Sequence, residues 1–253
     1  MILTSLGILF DIDGVLTLPI TEKRKISVID PELIEYLSNI HQQGIKFSLI
    51  TGRAYPWVNT FLLSKFESFL EDIPIYMEYG LTSLKNGAFK VSKKAKSFRD
   101  EFFSPILSSI KQNCQEKNII FELKPYIDYP EHGSLWLEDK KVMISIASNA
   151  SISTETVQDM VIKSCQDYLD NIRIVKHHLG CDILPKGWSK EQAAIEAYQL
   201  LDPEKKIDQW YVFGDNESDK EMCRPFRKAT FIDAKIGASE TTKDSLKKIV
   251  ANN

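Results

Sequence analysis

The sequence has no Cys-x-x-Cys pair; its four cysteines, Cys114, Cys165, Cys181 and Cys223, are scattered. That spacing argues against a structural zinc site or a disulfide framework and for the reduced thiols of a cytosolic protein. No apolar run reaches the roughly 18 residues of a membrane span. The N-terminus has neither the basic start nor the small-residue cleavage site of a signal peptide. An excess of positive charge is missing too: 32 Lys and Arg against 35 Asp and Glu leave a net charge of −3. Neither nucleic acid nor an anionic membrane is therefore an expected partner. There is no internal repeat and no low-complexity segment. What remains is an ordinary soluble composition, 43% hydrophobic and 26% charged, able to bury a core. The length of 253 residues suits one large domain or two modest ones. A cytoplasmic monomer or homodimer is the expectation.

Strand and helix signals alternate at the start. Residues 6–10 (LGILF) predict a buried strand. DPELIEYLSNIHQQG predicts a helix with Asp30 as N-cap, Pro31 at its first position and Gly44 as its stop. Leu33, Ile34, Leu37 and Ile40 fall on one face of it. IKFSLIT predicts a second strand, residues 55–70 an amphipathic helix (Val58, Phe61, Leu62, Phe66, Phe69), and IPIYM a third strand. Such alternation implies a parallel sheet with right-handed crossovers. After Gly80 the pattern changes. SLKNGAFKV carries an Asn-Gly hairpin turn, residues 98–116 read as a helix, and NIIFELKP, GSLWLED and KKVMISIAS read as antiparallel strands. Residues 153–169 read as a helix. Alternation returns near Cys181, with helix 189–201, strand WYVFG, short helix 217–223 and strand ATFI. The fold class expected is α/β: a Rossmann-like core of residues 1–81 and 181–253, interrupted by an α+β domain at 82–180.

Four stretches carry chemistry. In GILFDIDGVLTLPI, Asp11 and Asp13 stand where a buried strand runs out, the end at which parallel α/β sheets collect ligands. Residues two apart on a strand share a face. Two carboxylates that close are costly unless a cation sits between them or one is protonated. FGDNESD repeats the arrangement with Asp215 and Asp219. Helix capping would account for either acid, but two strand ends with paired acids suggest a hard, oxygen-liganded cation, and Mg2+ suits phosphate chemistry best. LITGR ends a strand in Thr51-Gly52-Arg53, offering a hydroxyl and N–H groups to a phosphate oxygen. ILPKGWSK supplies Lys186 and Lys190. Lysine at the start of a helix opposes the dipole unless an anion lies beside it.

In order and spacing these stretches resemble the haloacid dehalogenase superfamily of phosphotransferases, over about 150 residues in two segments. The resemblance implies a nucleophile at Asp11, a general acid/base at Asp13, and phosphate binding at Thr51, Gly52 and Lys190, with Lys186 the rival lysine. It implies Mg2+ held by Asp11, the backbone carbonyl of Asp13 and Asp215, with Asp219 in support. Such chemistry needs two acids at the first strand: one attacks phosphorus to form an aspartyl-phosphate, the other moves protons. The glycine after them, Gly14, would let the backbone pass close to the phosphate.

The insertion stands where one branch carries a large α/β cap that excludes water and selects the leaving group. Its length and place are similar to the sugar-phosphate phosphatases, among them those for trehalose- and sucrose-phosphate. The substrate implied is a small phosphorylated sugar or related metabolite, with Arg53, Glu122, Lys124 and Glu138 as candidate contacts and Lys140 beside them. ISIASNA departs from the His-Tyr-Arg ending of the trehalose-phosphate relatives. A sugar phosphomutase, or an inactive phosphate-binding module on the same fold, are the competing readings. Trp136 and Trp188 read as core aromatics, and His132, His177 and His178 as loop or hinge residues.

Overall fold

The computed structural model describes residues 6–19, 27–65, 67–124, 134–148, 152–177 and 179–251. The described residues of Met1–Arg53, Val58–Lys90 and Ser189–Asn253 form one compact unit, and Ala54–Trp57 with Val91–Trp188 form a second.

The first unit is built on β1 (Leu6–Phe10), every residue of which is buried, as expected for a central strand of a parallel sheet. α1 (Pro31–Gln42) follows, with the Asp30 carboxylate accepting from the Glu32 N–H as N-cap. Its face of Leu33, Ile34, Leu37 and Ile40 is buried as the periodicity predicts. β2 (Lys46–Ile50) pairs parallel with β1. The expected helix over 55–70 is broken into α2 (Tyr55–Phe61), a 3-10 turn (Leu63–Lys65) and α3 (Glu67–Leu70). The Ser64 hydroxyl donates to the Thr60 carbonyl at 2.7 Å, a back-bond that bends helices; Phe66 lies outside the described residues. β3 (Ile75–Met77) is parallel to β2, and β4 (Thr82–Lys85) returns antiparallel to it. β5 (Ala88–Val91) completes a hairpin whose turn has Asn86 and Gly87 both at positive φ, the type I′ geometry that Asn-Gly favours.

The second unit opens with α4 (Lys93–Phe98), passes through a π-helical turn at Arg99–Phe103 and continues as α5 (Ser104–Glu116). β6 (Ile120–Lys124), β7 (Ser134–Glu138), β8 (Ile144–Ser148), α6 (Thr154–Ser164), β9 (Ile172–His177) and β10 (Gly180–Pro185) follow. The sheet order is β6-β7-β8-β10-β9. β7 and β8 pair antiparallel as expected and β10 pairs antiparallel with both β8 and β9, but β6 runs parallel to β7. Ile106, Ile110 and Cys114 of α5 and Val157, Met160 and Val161 of α6 are buried in this unit.

The chain returns to the first unit with α7 (Lys190–Leu201), β11 (Gln209–Gly214), a 3-10 turn at Asp219–Cys223, β12 (Ala229–Asp233) and α8 (Ser239–Ala251). The seven-stranded order is β12-β11-β1-β2-β3-β4-β5. Ala193, Ala194 and Ala197 pack in one cluster with Leu9, Ile50, Tyr76, Trp210 and Val212, small side chains that let α7 approach the sheet closely. Gly7 has a similar reason: a Cβ there would come within 2.6 Å of the Trp210 ring.

The unit boundaries differ from the expected 82–180. The Asn-Gly hairpin extends the large sheet through β4 and β5, and residues 181–185 complete the small sheet as β10. β9 and α8 have no counterpart in the sequence reading. His132 and His178 lie outside the described residues; His177 ends β9.

Candidate active site

The register of the large sheet brings the first and last acidic stretches together. Phe10 of β1 lies opposite Phe213 of β11, their rings stacked at 4.9 Å. One residue on, the Asp11 N–H donates to the Phe213 carbonyl at 2.9 Å. On the other side Phe10 pairs with Leu49 of β2, so Thr51 reaches the same edge of the sheet, its N–H donating to the Tyr76 carbonyl at 2.8 Å. Asp11, Thr51 and Asp215 thus follow three neighbouring parallel strands.

Asp11 is 3% exposed. Lys190 Nζ lies 2.9 Å from its Oδ1, yet that oxygen makes no aligned hydrogen bond among the described residues. The same ammonium sits 2.5 Å from Asp219 Oδ1. Asp219 Oδ2 accepts from the N–H groups of Asp215 and Asn216 at 3.0 and 3.1 Å. Asp219 is therefore a buttress, saturated by two backbone donors and a lysine, that ties the loop after β11 to α7. Asp215 is half-buried, its Oδ1 accepting from Asn216 Nδ2 at 2.9 Å. Gly14 has φ +67, and a Cβ there would run into the Asp215 carboxylate. The space Gly14 leaves is filled by the Asp215 carboxylate.

Lys190 opens α7 behind a capping box made by Ser189 and Gln192. The anions that offset its conflict with the helix dipole are Asp11 and Asp219. Lys186, the rival lysine, has a 59% exposed side chain paired at 3.6 Å with Asp170 in the second unit. Lysine 190 is the one beside Asp11.

Carboxylate oxygens of Asp11, Asp215 and Asp219 lie within 4.8 Å of one another. Burial, then the charge of Asp219, push Asp11 well above the usual carboxylate range although Lys190 pulls the other way. Burial and Asp219 raise Asp215 to about 6. Lys190 is raised by Asp11 and Asp219 against the opposing effect of its own burial. Three acids share one ammonium here. The unaligned oxygen of Asp11 and the half-buried carboxylate of Asp215 suit a hard divalent cation, which would relieve that crowding.

Asp13 is held differently. Arg53 Nε donates to its Oδ2 and Arg53 Nη2 to its Oδ1, both at 2.8 Å, and Ser27 Oγ adds a bond to Oδ1 at 2.9 Å. Burial alone would raise this group; the Arg53 charge and the hydrogen bonds of Arg53 and Ser27 bring it down to about 2. Arg53, read from the sequence as a substrate contact, is thus placed on Asp13 by the geometry. Ser27 was not legible: it stands 14 residues from Asp13 in no recognisable motif. Thr51 is fully buried, and its hydroxyl accepts from the Arg53 N–H at 3.1 Å.

The remaining candidates lie in the second unit. Strand pairing puts Glu122, Trp136, Glu138 and Asp182 on one sheet face. Ser134 Oγ accepts from Trp136 Nε1 at 2.6 Å and donates to Glu122 at 3.3 Å; Trp136 is buried and Trp188 half-buried. Glu138 is 3% exposed. Its Oε2 lies 3.2 Å from Lys140 Nζ, which is also 3.6 Å from Asp182, and its Oε1 has no hydrogen-bond partner among the described residues. Lys124 stands opposite Glu138 in register. Asp182 was missed because its strand was not foreseen.

Residues 8–124 match the model of a family described as haloacid dehalogenase-like hydrolase. The chain has the haloacid dehalogenase-like fold. Its structure resembles a trehalose-6-phosphate phosphatase related protein at 16% identity and TM-score 0.63, covering 97% of this chain and 98% of that one. It also resembles the C-terminal domain of the C. albicans trehalose-6-phosphate phosphatase (15% identity, TM-score 0.63), covering 99% and 78% of the two chains. A Plasmodium falciparum IMP-nucleotidase matches at 11% identity and TM-score 0.65, covering 98% of this chain and 62% of that one. No curated protein matches the sequence. Among the described residues, no helix is long and apolar enough to cross a membrane.

Proposed function

We propose that the chain is a magnesium-dependent phosphomonoesterase acting on a small phosphorylated sugar or related metabolite through an aspartyl-phosphate. The observation that carries this reading is the buried Asp11 carboxylate, with Lys190 at 2.9 Å and Asp215 and Asp219 beside it. Asp11 and Asp215 carboxylates and the Asp13 backbone carbonyl would hold Mg2+, whose charge offsets carboxylate–phosphate repulsion. Asp11 attacks phosphorus and the ester P–O bond breaks, with Thr51, Gly52 and Lys190 as the phosphate contacts. Asp13 gives its proton to the leaving oxygen, then takes one from the water that opens the aspartyl-phosphate.

Asp13 in the grip of Arg53 and Ser27 is a carboxylate, the form required for the second step. For the first, an incoming phosphate must compete for the Arg53 guanidinium and free Asp13 to carry a proton. The second unit is read as the cap that selects the substrate, with Glu122, Lys124 and Glu138 as its candidate contacts. Likeness to a trehalose-6-phosphate phosphatase domain and to a protein described as related to that enzyme supports a sugar phosphate; likeness to a nucleotidase puts nucleoside monophosphates in the same assay.

The test is phosphate release from a panel of sugar, polyol and nucleoside monophosphates with Mg2+ or EDTA. Asp11→Asn should lower turnover by at least about three decades with the fold intact by circular dichroism. Near-normal release by the folded variant refutes the mechanism.

A further inference from the structure

Between β3 and β4 the chain takes three consecutive residues through the left-handed region: Glu78 at φ 50, Tyr79 at φ 59 and Gly80 at φ 87. Only the last is a glycine, and left-handed backbone is unfavourable for the other two. All three are buried. A strained turn between two strands persists only where its surroundings over-determine it, and here the surroundings are the Thr51-Gly52-Arg53 stretch and the start of α7. The Glu78 N–H donates to the Arg53 carbonyl and the Tyr79 N–H to the Thr51 carbonyl, both at 3.0 Å. A Cβ on Gly52 would come within 3.1 Å of Tyr79 Cε2, so the ring packs closely against position 52 and a side chain there would press on it. A Cβ on Gly80 would press on Ala193 at 2.7 Å, so the turn also touches the first turns of α7. Lys190 Nζ lies 5.7 Å from the centre of the Tyr79 ring, within cation–π range.

We infer that Tyr79 is a positioning residue for phosphate binding. Its ring backs Gly52 and steadies the Lys190 ammonium, and the left-handed turn holds that ring in place. This rests on the reading of Lys190 and Thr51 as phosphate contacts. The ammonium is buried between Asp11 and Asp219, and a π face offers it attraction without a third carboxylate that would compete with phosphate.

The inference separates ring from bulk. Tyr79→Phe keeps the π face and loses the hydroxyl; Tyr79→Leu keeps apolar bulk and loses the π face. Inorganic phosphate is the probe, read as its inhibition constant and as the rise in melting temperature it gives the magnesium-loaded protein. The Phe variant should stay within about twofold of wild type in kcat/KM and in phosphate affinity. The Leu variant should lose about tenfold in both, more than its change in melting temperature without phosphate accounts for. In a Lys190→Met background, Tyr79→Leu should cost much less phosphate affinity than in the wild type, only what the lost contact with Gly52 accounts for, because the ammonium partner of the ring is gone. Equal behaviour of the Phe and Leu variants, or additive losses in the double variant, overturns the inference while the phosphatase reading stands. Absence of both turnover and phosphate binding in the wild-type protein overturns that reading and the inference with it.

Discussion

Replacing Asp215 by asparagine should make the metal-free protein more stable at neutral pH while removing its activity. The group is raised from 3.8 to about 6 in the folded chain, by burial first and then by Asp219. Folding therefore favours the protonated form. The stability contributed by Asp215 is complete below about 3.8, declines as the pH rises to about 6, and is gone above that. The gap corresponds to roughly 3 kcal/mol, and solvent at this half-buried side chain reduces it to about 1–2 kcal/mol. Asparagine keeps the shape and can still accept from Asn216, without the charge. Denaturant unfolding in EDTA at pH 7.5 should show the variant more stable by that amount, and at pH 3.5 the difference should vanish. Magnesium should then stabilise the wild type and raise its midpoint with concentration, with little effect on the variant. A variant that is less stable than wild type in EDTA at pH 7.5 would refute the claim that these carboxylates crowd one another for want of a cation.

Two further outcomes follow from the geometry. Asp13→Asn should lose roughly two to four decades on a sugar phosphate but much less on a nitrophenyl ester, whose leaving group needs little protonation; equal losses on both would count against the acid role. Glu122→Gln, a change at a partly exposed residue of the second unit, should lower kcat/KM for a sugar phosphate well beyond its effect on the aryl ester, since remote hydroxyls supply the binding energy spent on rate. If both substrates fall by one factor, Glu122 sets no specificity.

The parts of this molecule legible in sequence are those that local rules govern. Continuous apolar runs ending in acids marked β1 and β11, the Asp30-Pro31 start and Gly44 stop marked α1, and Asn86-Gly87 marked a hairpin. Each is a short-range statement about backbone preference. What the sequence withheld depends on pairing. Nothing in NIIFELKP says that β6 runs parallel to β7, because strand direction is fixed by the path between strands. The edge of the large sheet was misplaced for a similar reason: a hairpin carries no sign of which sheet it will join.

The site divides along the same line. Asp11, Asp13, Lys190 and Asp215 could be picked out because each breaks a local rule, an acid closing an apolar strand or a lysine against a helix dipole. Ser27, Tyr79 and Asp182 break no rule visible in one dimension. Yet position 79 carries the least favourable backbone of the three, a left-handed tyrosine, and its cost becomes intelligible only once Thr51, Gly52 and Lys190 are seen around it. On the proposed reading of Thr51 and Lys190 as phosphate contacts, such a strained turn behind them would hold both in place before any ligand arrives. Binding energy need not then be spent on ordering them, and more of it can go to the contacts that strengthen as phosphorus is transferred.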